Sequence, residues 1–175
     1  MITASERLGL RYYRPEDTAP IFNIYTGDSG SAKYLARQPH SDVEQTERML
    51  KKLSNPESLV ANGMCVWVIE AIRDSAAVGL IIVAEDDASM AVHFGIGTPY
   101  RGLGFATEAL ALTAQHLLAT GQAVGVSSFT DVENAAAQAA LVKAGFVVTG
   151  RTENFYRAPQ LGGECRDVFR FQFRP

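Results

Sequence analysis

The residues best arranged for chemistry form the run Thr98-Pro99-Tyr100-Arg101-Gly102-Leu103-Gly104-Phe105-Ala106-Thr107-Glu108-Ala109. A strand-like stretch precedes it and a helix-like stretch follows. Gly102 and Gly104 remove side chains where the backbone would meet a ligand. The opening turn of a helix has N–H groups without acceptors, and its dipole favours negative charge. Arg101 adds a positive charge. Together these features describe a cradle for a pyrophosphate, although an ordinary strand-to-helix turn with two glycines looks the same. No Gly-Lys-Ser/Thr follows, so the run is not a Walker A loop. It also lacks the third glycine of the dinucleotide fingerprint. That fingerprint opens at the first strand of a parallel fold, whereas three or four strands come before this turn.

Other reactive side chains are few. Cys65 and Cys165 have neither a C-x-x-C spacing nor a Cys/His cluster, so neither zinc nor any other metal is expected. Cys65 lies within Met64-Cys65-Val66-Trp67-Val68 and reads as core, and a disulfide to Cys165 is not expected. His93 sits on the strand leading into the glycine turn, His116 within a helix and His40 in a loop. The chain is 47% hydrophobic and 20% charged, with net charge −3 and no Lys/Arg run. Nucleic acid is therefore not an expected partner, while mild acidity is compatible with a cationic amine. Residues 1–175 read as one domain with room for a substantial core. Met1 to Arg14 has no apolar signal-peptide region, and the longest apolar run, Ala76 to Ala84, is too short to span a membrane. The expectation is a cytoplasmic protein with no membrane partner.

The elements that must position these residues follow from periodicity. Leu8 to Tyr13 alternates like a strand, and Pro15-Glu16-Asp17 opens a helix in which Ile21 and Tyr25 share the inner face. Ser41-x-x-Glu44 has the form of a capping box for a helix running to about Leu53, ended by Asn55-Pro56. Met64 to Ile72 is apolar on both faces and belongs inside a sheet. Val78 to Ala84 follows, with a turn at Glu85-Asp86-Asp87. On Met90 to Gly97, Met90, Val92, Phe94 and Ile96 face one way, and Ala91, His93, Gly95 and Gly97 the other. Gly102 to Thr120 is a helix stopped by Gly121, Ala123 to Phe129 a strand, and Asn134 to Ala144 a helix closed by Gly145. Strands beginning at Phe146 and spanning Asp167 to Phe173 complete an α+β chain around a mixed sheet.

Arg101-x-x-Gly104-x-Ala106 resembles the Q/R-x-x-G-x-G/A signature of the GNAT superfamily of N-acetyltransferases. The longer string to Ala109 looks like the branch containing the ribosomal-protein N-terminal acetyltransferases. Asn134-Ala135-Ala136-Ala137 with Leu141, Lys143, Gly145 and Phe146 resembles that branch's N-x-x-S-x-x-x-L-x-K-x-G-F segment. Glu6-Arg7-Leu8-Gly9-Leu10-Arg11 followed by Asp17 resembles its opening, so the likeness covers nearly the whole chain. It implies a GNAT fold: a mixed sheet of about six to seven strands, splayed in the middle, with about four flanking helices. Acetyl-CoA would lie in the gap as cosubstrate. The pyrophosphate would rest on N–H groups of about Leu103 to Ala106, within a turn that also includes Arg101, Gly102, Gly104, Phe105 and Thr107. Ile96, Gly97 and Thr98 would meet the pantetheine arm through main-chain bonds, like a short added strand. Asn134 would bond to the coenzyme, and it is also a good helix N-cap.

The resemblance implies acetyl transfer to a primary amine, at a protein N-terminus or on a small molecule. An alkylamine of pKa near ~10.4 is mostly protonated at neutral pH, so a base must remove the proton. His93 is the candidate, near a position where related enzymes often carry glutamate. The strand N–H near Ile96 would stabilise the oxyanion. Family members often place an acidic tyrosine seven residues after the asparagine, where this chain has Leu141. The branch often has serine three residues after it, where this chain has Ala137. Tyr156 or Tyr100 could substitute, or the thiol, with a pKa near ~8.5, could leave without an acid. The missing hydroxyls also fit a catalytically silent acyl-CoA-binding or sensing domain. The acceptor pocket is expected from Tyr25 to Gln38, the surroundings of His93 and the loop Arg151 to Glu164. A monomer or homodimer is expected.

Overall fold

In the computed structural model, which describes residues 1–86 and 89–175, eight strands form one sheet in the order β1-β2-β3-β4-β5-β6-β8-β7. The strands are β1 (Thr3–Ala4), β2 (Leu8–Arg11), β3 (Met64–Ala71), β4 (Ala76–Asp86), β5 (Ser89–Ile96), β6 (Val126–Asp131), β7 (Phe146–Arg157) and β8 (Cys165–Phe173). β2 to β5 pair antiparallel in succession, an antiparallel meander. The sheet exceeds the expected six to seven strands because Thr3–Ala4, too short to carry an alternation, pairs with Leu10 and Gly9. Glu85 and Asp86, expected in a turn, remain paired with Met90 and Ser89. Asp87, the last residue of that expected turn, lies outside the described residues.

The helices are α1 (Thr18–Ile21), α2 (Val43–Leu53), α3 (Ser58–Asn62), α4 (Phe105–Ala119) and α5 (Ala135–Lys143). α3 is one more than expected, since five residues give no periodic pattern. The cap of α2 is displaced by one residue from the expected box. Asp42 Oδ1 accepts from the Gln45 N–H at 2.7 Å, and the Gln45 side chain reaches back to the Ser41 N–H at 3.0 Å. Pro15–Asp17 is a 3-10 turn leading into α1, which runs on into a π-helical turn over Phe22–Thr26.

The sheet separates two cores. Leu8, Leu10, Trp67, Ile69, Ile81, Val92 and Ile96 pack beneath α4, with Met90 and Phe94 against them. This bears out the face assigned to β5. On the other side Ile21, Tyr25 and Leu50 pack on Val66, Val68 and Leu80. Arg11, 3% exposed, donates to Asp17 at 2.7 and 2.8 Å and also pairs with Glu70. A buried charge needs such partners, and these pin the 15–26 segment, with Tyr25, to the sheet. Cys65 is buried and Cys165 exposed, and both are free thiols.

Candidate active site

β5 and β6 are parallel, but among the described residues they pair only at Met90↔Val126 and Ala91↔Ser127. Beyond Val92, whose carbonyl accepts from Ser128 Oγ at 2.7 Å, no further pairing is formed between them. The free edge of β5 can be assigned from alternation. The Met90 N–H bonds to Gly125 on the β6 side, and the Gly97 N–H bonds to Val78 on the β4 side, both along one strand. Hence the main-chain groups of Phe94 and Ile96 point into the gap. The Ile96 carbonyl is taken by Arg101 Nε at 3.2 Å, leaving the Phe94 N–H and C=O and the Ile96 N–H for a ligand.

The Gly97 N–H is committed to the sheet, so it is not available to a pantetheine arm as the sequence suggested. Gly95 and Gly97 serve a different need. A Cβ on Gly95 would overlap the ring and hydroxyl of Tyr25, and one on Gly97 would sit 2.6 Å from Ile24 Cδ1. Tyr25 and Ile24 lie on the π-helical turn, so the glycines let that turn press onto β5. Thr98 Oγ1 donates to Asp28 Oδ2 at 3.2 Å rather than facing the gap.

Gly102 and Gly104 have φ of 79° and 81°, the left-handed region that glycine enters without strain. Gly104 is the N-cap of α4, and its carbonyl accepts from the Glu108 N–H at 3.1 Å. The N–H groups of Gly104, Phe105, Ala106 and Thr107 therefore have no acceptor within the helix. These four donors overlap the expected Leu103 to Ala106 and extend one residue further into the helix, to Thr107. Leu103 is half-exposed, and its carbonyl accepts from Arg7 Nη1 at 3.1 Å. The space beside Gly102 is open: a Cβ there would meet nothing within 4 Å.

The guanidinium of Arg101 turns back to the Ile96 carbonyl and to Ser31 Oγ, at 2.6 Å, and so braces the strand end. The cation beside the cradle is Arg7, whose Nη2 would lie 3.5 Å from a Cβ on Gly104 and whose Nε donates to Glu108 at 2.8 Å. Sequence reasoning missed Arg7 as a site residue. Nothing local marks it, because its partners lie about a hundred positions away.

The gap and the cradle open into one cavity of about 1300 Å³, which passes through the sheet between the two cores. That exceeds a typical small-ligand pocket of roughly 300–1,000 Å³ and suits a long cofactor together with a second substrate. Ile96, Arg101, Gly102, Gly104, Phe105, Ala106, Thr107, Asn134, His93 and Tyr156 line it, as does Lys143 on α5; Gly97, Thr98 and Leu103 do not. Asn134 caps α5, accepting from the Ala137 N–H at 3.2 Å.

His93 is half-buried at the cavity wall. It pairs with Ile82 in the ladder and meets Phe129 edge-on at 4.3 Å between ring centroids. Neither ring nitrogen has a hydrogen-bond partner among the described residues. Burial pushes its pKa down to about 4, with Asp86 pulling up and Arg170 pushing further down. The ring is therefore neutral at pH 7, with a free lone pair. Tyr156 donates its hydroxyl proton to Asp131 Oδ2 at 2.7 Å, and Arg166 grips the same carboxylate at 2.5 and 2.9 Å. Burial first, and then the bond to Asp131, raise the Tyr156 pKa well above that of a free phenol.

An acetyltransferase (GNAT) domain model matches residues 7–147, and the chain belongs to this family. Its fold is shared with a GNAT-family acetyltransferase from Bacillus anthracis (TM-score 0.83, 19% identity, 97% of this chain and 96% of that one). It is also shared with RimJ of Mycobacterium smegmatis, solved with CoA-disulfide (0.81, 22%, 95% and 81%). A third likeness is to spermidine N-acetyltransferase from Vibrio cholerae, solved with CoA and spermine (0.78, 19%, 97% and 96%). At these identities the likeness is one of fold. No curated protein matches by sequence. Among the described residues no helix is long and apolar enough to cross a membrane.

Proposed function

We propose that this chain transfers the acetyl group of acetyl-CoA to a primary amine by direct attack, with both substrates bound together. The observation that carries the reading is the single cavity joining two sets of free main-chain donors, the α4 N-terminus and the exposed edge of β5. Acetyl-CoA supplies a thioester carbonyl open to attack. The N–H groups of Gly104 to Thr107 hold its pyrophosphate, helped by the helix dipole and the charges of Arg7 and Lys143. The Phe94 main chain orients the pantetheine amides as an adjoining strand would. The Ile96 N–H holds the charge that gathers on the carbonyl oxygen.

His93, neutral over the working range, takes the proton from the incoming ammonium, directly or through water. A base with a pKa of about 4 is weak, so the ionisation of the amine itself governs the pH response. Tyr156 has its proton engaged by Asp131. It holds that carboxylate in place, and the thiolate leaves without a dedicated acid.

That same bond, with Leu141 and Ala137 at the usual hydroxyl positions, favours one other reading, a silent acyl-CoA-binding domain. Calorimetric titration with acetyl-CoA, followed by a thiol-release assay over an amine panel, separates the two. Micromolar binding with turnover supports transfer; binding without turnover of any amine supports the silent domain; no binding refutes both.

A further inference from the structure

We propose that the acceptor is a primary amine carried on an apolar body and without a second cationic group. This rests on the acetyl-transfer reading and assigns the substrate class of the same site. On the α2 side of the sheet, the second core stops short of closing. Met49 and Leu53 of α2, Met64 of β3 and Ile82 of β4 are all half-buried, and all line the cavity. Three of them, Met49, Leu53 and Ile82, pack at the rim of the core beneath. Val66 and His93 are both paired with Ile82 across the strands, so this apolar wall adjoins the imidazole. An amine whose body lies on the wall would present its nitrogen near His93. A hydrophilic body would leave the wall wet, and the apolar area gained favours the apolar one.

The charges lining the cavity point the same way. Its carboxylates among the described residues are Glu108 and Asp131. Glu108 is paired with Arg7, and Asp131 with Arg166 and Tyr156. Lys33 and Arg37 also line it, on the loop between the π-helical turn and α2. A distal ammonium of a polyamine would face these cations with no unpaired carboxylate to meet it. Sharing a fold with a spermidine acetyltransferase therefore does not bring its acceptor with it.

An apolar amine could be the first residue of a peptide or a free small molecule, and the test has an arm for each. Acetyl-CoA-dependent kcat/KM is measured with a leucine-starting tetrapeptide, a serine-starting tetrapeptide, 2-phenylethylamine and spermidine. At least one apolar substrate should exceed both spermidine and the serine peptide by roughly 10- to 100-fold, the span that one well-placed apolar group supplies. Ile82→Asn and Leu53→Gln should each erase most of that preference while acetyl-CoA affinity and the melting temperature stay near those of the parent. Preference for spermidine or the serine peptide overturns the inference and leaves acetyl transfer standing. The inference also fails if both variants keep the parent's preference. Acetylation of no amine, with acetyl-CoA bound, overturns acetyl transfer and this inference together.

Discussion

Replacing Gly104 by aspartate tests the cradle at its centre. The backbone there has φ of 81°, and the nearest atom to an added Cβ is Arg7 Nη2 at 3.5 Å. The side chain therefore has room, and the left-handed conformation costs about 1 kcal/mol, less for Asp than for most residues. A carboxylate at an N-cap regains part of that through the free N–H groups and Arg7. The variant should fold, with stability within ~1 kcal/mol of the parent. Coenzyme binding should suffer far more. The new carboxylate takes donors intended for the pyrophosphate, and a like charge sharing those donors would lie about 4–5 Å away, the separation of neighbouring ions. At an effective dielectric of ~20–40 the repulsion is roughly 2–4 kcal/mol, or about 30- to 1,000-fold in Kd. Gly104→Ala separates charge from geometry: it should show the strain in thermal melts but lose much less affinity. Calorimetric titration with CoA on both variants reads the difference. A folded aspartate variant with unchanged CoA affinity would refute the cradle assignment.

Gly95→Ala would force a methyl into Tyr25, which is 5% exposed and cannot easily move. The expected loss is ~2 kcal/mol, with a rise in acceptor KM and little change in acetyl-CoA Kd; an unchanged melting temperature counts against the packing. Since His93 is depressed to about 4, the unfolded chain binds the extra proton between pH 6.5 and 4. Its contribution to stability is present above about pH 6.5 and fades as pH falls toward 4, by about 1–2 kcal/mol at pH 5. Urea melts should show this loss, and His93→Leu should flatten it. The logarithm of kcat/KM should climb toward the pKa of the amine with no inflection near 6.5, and such an inflection would show an imidazole of ordinary pKa. Asp17→Ala would remove one partner of buried Arg11 at a cost of about 3 kcal/mol, measured by denaturant melts. A loss below ~1 kcal/mol would mean that Glu70 alone holds the guanidinium.

The parts legible in the sequence were those set by local pattern. Alternation on β5 separated Val92 and Ile96 from His93 correctly, because one face of that strand rests on a core that tolerates only apolar residues. The turn before α4 was marked by glycines with positive φ, a requirement local to the turn, but those glycines precede the helix, which begins at Phe105 rather than at the expected Gly102. What could not be read depended on pairs distant in the chain. Arg7 beside Leu103 and Glu108, and Tyr156 on Asp131, arise from tertiary docking and leave no spacing to recognise. The purposes of Gly95 and Gly97 were likewise hidden. The family resemblance puts Gly97 against the pantetheine arm and gives Gly95 no role, whereas each admits a side chain of the π-helical turn. Arg101 was read as the cradle's charge from adjacency alone, but its long side chain reaches Ser31 on another loop.

Acetyl transfer itself is tested most directly by incubating the protein with acetyl-CoA and the amine panel, then quantifying acetylated amine and free CoA in the same sample. The account predicts both products in equal amounts, with His93→Ala lowering the rate but not the affinity for acetyl-CoA. Free CoA without acetylated amine would indicate hydrolysis, and neither product despite bound acetyl-CoA would indicate a silent domain; either result would contradict the account.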